Sequence, residues 1–189
     1  MTPLYKDRYR AASTRLKDFD YTSAGYYFVT VCTRDRECLF GDVHDGIMDF
    51  SSVGKIVRTF WSEIPVHVPG VELDEFVVMP NHIHGIVMIR EKSCRNVACN
   101  VSTDNVSTIT SELAKISPKP GSLGVIIRSF KSAVTNWCRK YNHDFAWQPR
   151  FYDEIIRNEQ MLEKVREYIR NNPMQWELDK ENPANGKIR

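Results

Sequence analysis

The chain of 189 residues has no apolar run approaching the roughly 20 residues that a helical membrane span needs. Its opening residues carry no apolar h-region, which speaks against a secretory signal and for a cytoplasmic protein. Neither sign of charge dominates: 26 Lys and Arg stand against 24 Asp and Glu, so global charge does not announce a nucleic-acid binder. Cysteines are few and odd in number. Cys32, Cys38, Cys94, Cys99 and Cys138 have spacings that make no zinc-finger pair, which leaves the reduced thiols of a cytosolic chain. No internal repeat is visible.

What remains is the composition of one globular domain. Apolar residues make up 42% and aromatics 11%, and the length suffices to bury a core. Residues 1–20 form a basic arm that includes Arg15 and Lys17. The β-formers of 26–33 read as a first strand, and 35–46, rich in charge and glycine, as a turn or short hairpin. Val53, Ile56, Val57, Phe60, Trp61 and Ile64 recur at helical spacing, with Ser51 or Ser52 as cap and Pro65 as stop. Strands follow at 71–79 and 82–89, joined by the turn Met79-Pro80-Asn81. Residues 91–122 are rich in Ser, Thr, Asn, Lys and Pro and read as a mobile loop. A helix at 123–141, a short strand at 151–156 and a helix at 159–171, capped by Asn158 and stopped by Pro173, complete the pattern. The polar stretch 177–189 reads as a fraying tail after a domain at 21–176. The order β, α, β, β, α, β, α predicts an α+β fold: a ferredoxin-like antiparallel sheet packed by helices, with one additional C-terminal helix.

Two histidines stand out on the third strand. In His82-Ile83-His84 the imidazoles project to one face and Ile83 to the other, an arrangement able to hold one divalent cation. On the last helix, Met161, Val165, Tyr168 and Asn172 follow steps of four, three and four, so Tyr168 and Asn172 share a face. The chemistry such residues permit is phosphodiester cleavage. A phenol attacks phosphorus poorly at pH 7, and a nearby cation both favours the phenolate and polarises the phosphate. Nitrogen and oxygen ligands together suit Mn²⁺ and tolerate Mg²⁺. Alone, each feature has a plainer reading: satisfied histidines, a tyrosine at the core edge, a helix terminator. A zinc hydrolase would need a third strong ligand, and His44, His67 and His143 lie in turns or at element ends.

Four segments in this order resemble the single-tyrosine HUH transposases, in the branch associated with repetitive extragenic palindromes. They are Arg15-Leu16-Lys17-Asp18-Phe19-Asp20-Tyr21 with the strand and Leu39-Phe40-Gly41 after it; Val77-Val78-Met79-Pro80-Asn81-His82-Ile83-His84-Gly85-Ile86; Trp147-Gln148-Pro149-Arg150-Phe151-Tyr152-Asp153-Glu154-Ile155-Ile156-Arg157; and Tyr168-Ile169-Arg170-Asn171-Asn172-Pro173. The resemblance implies a ferredoxin-like sheet and a divalent cofactor, Mg²⁺ or Mn²⁺, on His82, His84 and Asn172, the last standing where relatives often carry Gln. It implies Tyr168 as the nucleophile that cuts single-stranded DNA beside a hairpin and holds it as a 5′-phosphotyrosine. Arg15, Lys17, Arg150 and Arg157 become candidate DNA contacts. Insertion-sequence members form dimers, whereas the palindrome-associated branch, to which the segment around Trp147 points, can act as a monomer. The alternative is a domesticated relative that binds nucleic acid without catalysis.

Overall fold

A computed structural model describes residues 19–91, 119, 121–179 and 181–185. Arg15 and Lys17, most of the basic arm and nearly all of the loop 91–122 lie outside the described residues.

Four strands form the main sheet: β1 (Gly25–Cys32), β4 (Val71–Val78), β5 (His82–Ile89) and β6 (Tyr152–Ile156), in the order β4-β5-β1-β6 with every neighbour antiparallel. A two-stranded ribbon, β2 (Gly41–His44) with β3 (Ile47–Phe50), stands apart from it. Among the described residues the α-helices are α1 (Ser52–Ser62), a single turn α2 (Ile64–His67), α3 (Leu123–Lys140) and α4 (Glu159–Asn171). This is the expected ferredoxin-like α+β architecture, with α4 added and the β2–β3 ribbon inserted before α1.

Local chemistry sets the helix ends. The Ser51 hydroxyl accepts from the Gly54 amide at 3.0 Å, and the Asn158 side chain accepts from the Met161 amide at 2.8 Å, each satisfying an otherwise orphaned donor of a first turn. Two expectations shift. The hairpin begins later than 35–46, because Arg34–Arg36 form a 3₁₀ turn first. Pro65 does not close α1; it sits in the first turn of α2, where its missing amide hydrogen costs nothing.

The sheet has two unlike faces. Tyr27, Val29, Val31, Ile83, Val87 and Ile89 meet α1 and α3 in the larger core, while Phe28 and Ile86 meet Leu162 and Ile169 of α4 in the smaller one. Strand periodicity of two produces this division directly. β4 switches parity on the way. A bulge between Leu73 and Phe76 turns Phe76 back toward Trp61 and exposes Asp74 and Glu75 to α4. There Asp74 holds Arg166 at 2.7 Å and Glu75 faces Arg170 at 3.5 Å, so the bulge anchors the helix that carries Tyr168. The Arg166 guanidinium, hydrogen-bonded to Asp74, holds that carboxyl below its ordinary range.

The chain does not leave the domain after α4. A 3₁₀ helix, Pro173–Leu178, seats the buried Trp176, and Glu181 returns to pair with Arg36. The stretch 177–189, expected to fray, is thus anchored as far as it is described, because an indole and an ion pair give it burial that its polar composition conceals.

Gly85 lies between His84 and Ile86, and a Cβ there would meet the Trp61 ring 2.5 Å away. Gly85→Ala is expected to lower stability by about 1–3 kcal/mol through this overpacking, read as a drop in the thermal midpoint. Asp74→Asn is expected to cost about 1–2 kcal/mol at pH 7. The wild-type advantage is full above the unfolded carboxyl pKa near ~3.9 and fades as pH falls through the lower folded value; unfolding curves of both proteins from pH 7 to 2 should converge at the acid end.

Candidate active site

β5 pairs with β1 so that His82 stands opposite Cys32 and His84 opposite Thr30. Both imidazoles are buried on the α4 face, their ring centroids 4.4 Å apart.

Each ring is held by its Nδ1. The Asn81 side chain donates from Nδ2 to the carbonyl oxygens of Arg36 at 3.0 Å and Glu181 at 2.7 Å, which leaves its Oδ1 as the acceptor facing His82 Nδ1 at 2.8 Å. His82 Nδ1 therefore carries the hydrogen, and the basic lone pair lies on Nε2. His84 Nδ1 meets the Thr30 hydroxyl at 2.9 Å. Phe28 stacks on the His84 ring at 5.4 Å and meets the Tyr168 ring edge-on at 6.1 Å. Oriented imidazoles of this kind are what a cation site requires of its supporting residues.

The last helix delivers its pair as its periodicity predicts. The Tyr168 hydroxyl lies 3.1 Å from His84 Nε2. Asn172 is almost fully buried one turn on, and its Nδ2 lies 3.3 Å from Asp179 Oδ2. Burial first, and the charge of Asp179 second, push the Tyr168 phenol above its ordinary range; a hydrogen bond with Asn172 works in the opposite sense. A phenol so placed stays neutral near pH 7 until positive charge arrives beside it.

Asp179 is the residue that the sequence reading missed. One ligand atom each from His82, His84 and Asp179 lie within 4.8 Å of one another. The third candidate ligand comes from beyond the expected domain end, where no helical spacing links it to Tyr168 because Pro173 breaks the period. The donor set fits a divalent cation on a further count: Asn172 Oδ1 is buried with no hydrogen-bond partner among the described residues. An orphaned carboxamide oxygen on a residue bonded to Asp179 adds an oxygen donor to a mixed nitrogen and oxygen set of the kind Mn²⁺ or Mg²⁺ accepts.

The candidate DNA-contact arginines lie elsewhere. Arg150 is exposed in the turn before β6, toward α3, and Arg157 is exposed beyond the other end of β6. No described helix is long and apolar enough to cross a membrane.

No family model matches the chain. A Haemophilus influenzae protein described only as uncharacterized is 40% identical over 171 residues, 88% of this chain and 90% of that relative. A second Haemophilus influenzae protein, provisionally designated a REP-associated tyrosine transposase, is 25% identical over 155 residues, 82% of this chain and 73% of its own length. The solved structure of a REP-associated tyrosine transposase bound to a REP hairpin shares the fold, with a TM-score of 0.57 at 20% identity over 90% of this chain and 77% of that one.

Mn²⁺ at about 100 times its dissociation constant is expected to stabilise the protein by about 2.7 kcal/mol. Asp179→Asn should weaken Mn²⁺ binding by about 10–100-fold, measured by calorimetric titration; unchanged affinity would remove Asp179 from the ligand set.

Proposed function

We propose that the chain is a REP-associated tyrosine transposase, as its likeness to one such relative and to the fold of another supports: a metal-dependent enzyme that cuts and rejoins single-stranded DNA beside a hairpin, with Tyr168 as its nucleophile. The observation that carries the reading is the approach of the Tyr168 hydroxyl to His84 Nε2, 3.1 Å, within the group His82, His84 and Asp179. The hairpin substrate is the kind bound by the transposase of known structure, carried over to this chain as part of the proposal.

The residues divide the work as follows. Tyr168 Oη attacks the phosphorus. A bond forms from Oη to phosphorus, the bond to the 3′ oxygen breaks, and that oxygen leaves with a proton as a 3′-hydroxyl. The product is a 5′-phosphotyrosine that keeps the ester ready for rejoining. Asn81 and Thr30 hold the two imidazoles in orientation. Phe28 packs against His84 and Tyr168 together and keeps nucleophile and imidazole in register. Asn172 favours the ionised phenol, against the opposing charge of Asp179. His82, His84, Asp179 and the Asn172 carboxamide oxygen would hold a divalent ion, Mn²⁺ or Mg²⁺, which supplies charge to stabilise the phenolate and the phosphate in the transition state. Since Tyr168 reaches the imidazoles of its own chain, a monomer holds every one of these parts.

Incubation with Mn²⁺ and a labelled single-stranded hairpin should give a protein–DNA adduct that survives denaturing electrophoresis. Tyr168→Phe should abolish the adduct and retain hairpin binding. An adduct persisting in the variant would exclude Tyr168, and hairpin binding without any wild-type adduct would favour a non-catalytic binder.

A further inference from the structure

Two segments far apart in the chain close on Asn81. The turn Arg34–Arg36 offers the carbonyl oxygen of Arg36, and the segment after the last helix offers that of Glu181; the Asn81 amide donates to both, at 3.0 and 2.7 Å. The same two residues then pair through their side chains, the Arg36 guanidinium against the Glu181 carboxylate. Among the ion pairs of the described residues this carboxylate is the least exposed, at 11%. A pair withdrawn from water in this way is costly to break, because the member left behind has no solvent to replace its partner.

Glu181 reaches the site by a second route. Its backbone N–H donates to Asp179 Oδ1 at 2.7 Å, while the Asn172 Nδ2 lies 3.3 Å from Asp179 Oδ2. Those two contacts set the plane of the Asp179 carboxylate. One residue thus holds Asp179 through its N–H and, through its carbonyl and Asn81, the Nδ1 of His82.

The facing turn is strained to take part. Asp35 and Arg36 adopt φ +52° and +59° in succession, a left-handed conformation uncommon for a residue such as arginine. Its surroundings over-determine it. Buried Thr33 shares its hydroxyl hydrogen between the Glu37 carbonyl at 2.8 Å and the Asn81 carbonyl at 3.1 Å, and its backbone N–H donates to the same Asn81 oxygen at 2.9 Å. The C-terminal segment is built as firmly. Asn182 donates its backbone N–H to the Asp179 carbonyl at 3.1 Å and its side chain to the Trp176 carbonyl at 3.0 Å. Strain kept in place by its neighbours at the rim of a site is a form of pre-organisation.

We propose that Arg36 and Glu181 are a positioning pair for the cation site. Their ion pair clamps two chain segments around Asn81, which keeps His82 in its Nδ1–H tautomer, and it holds the Asp179 carboxylate turned toward the imidazoles. The inference rests on the reading of His82, His84 and Asp179 as that site. Arg36 and Glu181 act through Asn81 and Asp179 and are not themselves ligands. Residues that orient ligands in this way change metal affinity by about 10–100-fold.

The test uses the full chain with Glu181→Ala, Arg36→Ala and the two combined. In the metal-free protein at about pH 8, where imidazoles are neutral, proton–nitrogen correlation NMR should show His82 wholly as the Nδ1–H tautomer in the wild type. Each variant should show a mixture of both tautomers. Mn²⁺ affinity by calorimetric titration should fall about tenfold in each single variant and no further in the double variant, since the pair acts as one unit. Arg36→Lys should keep most of the wild-type affinity. A single His82 tautomer with unchanged affinity in the alanine variants would overturn the proposal, as would losses that multiply in the double variant. Should an alanine variant prove unfolded by its thermal midpoint, Glu181→Gln decides: a smaller loss in the same direction supports the pair, and wild-type tautomer and affinity overturn it. If the wild-type protein forms no DNA adduct while tautomer and affinity respond as stated, the catalytic reading fails and the positioning pair stands.

Discussion

A slip of one residue between β5 and β1 would turn both imidazoles into the apolar core beneath α1 and α3. The observed register, His84 opposite Thr30 and His82 opposite Cys32, keeps them on the other face. It is enforced by the residues between and beside them: Ile83 and Val87 fill the larger core, and Gly85 admits the Trp61 ring that presses on the strand. The placement of the histidine pair is therefore a by-product of hydrophobic sorting. Apolar burial of the odd-numbered residues places the even-numbered donors, and the hydrogen bonds of Asn81 and Thr30 then set the rings.

The second half of the site arrives on a separate element whose position is held electrostatically as well as by packing. α4 buries only Leu162 and Ile169 fully, a narrow stripe for a helix that must place a hydroxyl to within hydrogen-bonding distance. The β4 bulge supplements it with Asp74 and Glu75 against Arg166 and Arg170. These pairs flank Tyr168 by two residues on either side, so the anchoring falls where positional accuracy matters most.

Much of this was legible in the chain itself, for reasons that differ by element. Ser51 and Asn158 announce their helices because capping is local chemistry. The helical period of α4 brings Tyr168 and Asn172 to one face, and strand alternation does the same for His82 and His84. The parity switch in β4 was hidden because acids within a strand pattern look like an exposed edge, not a bulge. Asp179 was hidden for a stronger reason. Its place depends on the 3₁₀ helix after Pro173, on the burial of Trp176 and on the pairing of Glu181 with Arg36, all of them contacts between distant parts of the chain. Asn81 likewise reads as a turn residue, and its role in fixing a tautomer appears only when the Arg36 and Glu181 carbonyls converge on it.

That convergence sets an order of assembly. The peptide oxygen of Glu181 and the carboxylate of Asp179 are made long after the strand they meet, so a growing polypeptide can fold its sheet while the candidate ion site is still open on one side. The arrangement then waits on the closing segment, and a nascent chain halted before it would carry the histidine pair without Asp179 beside it.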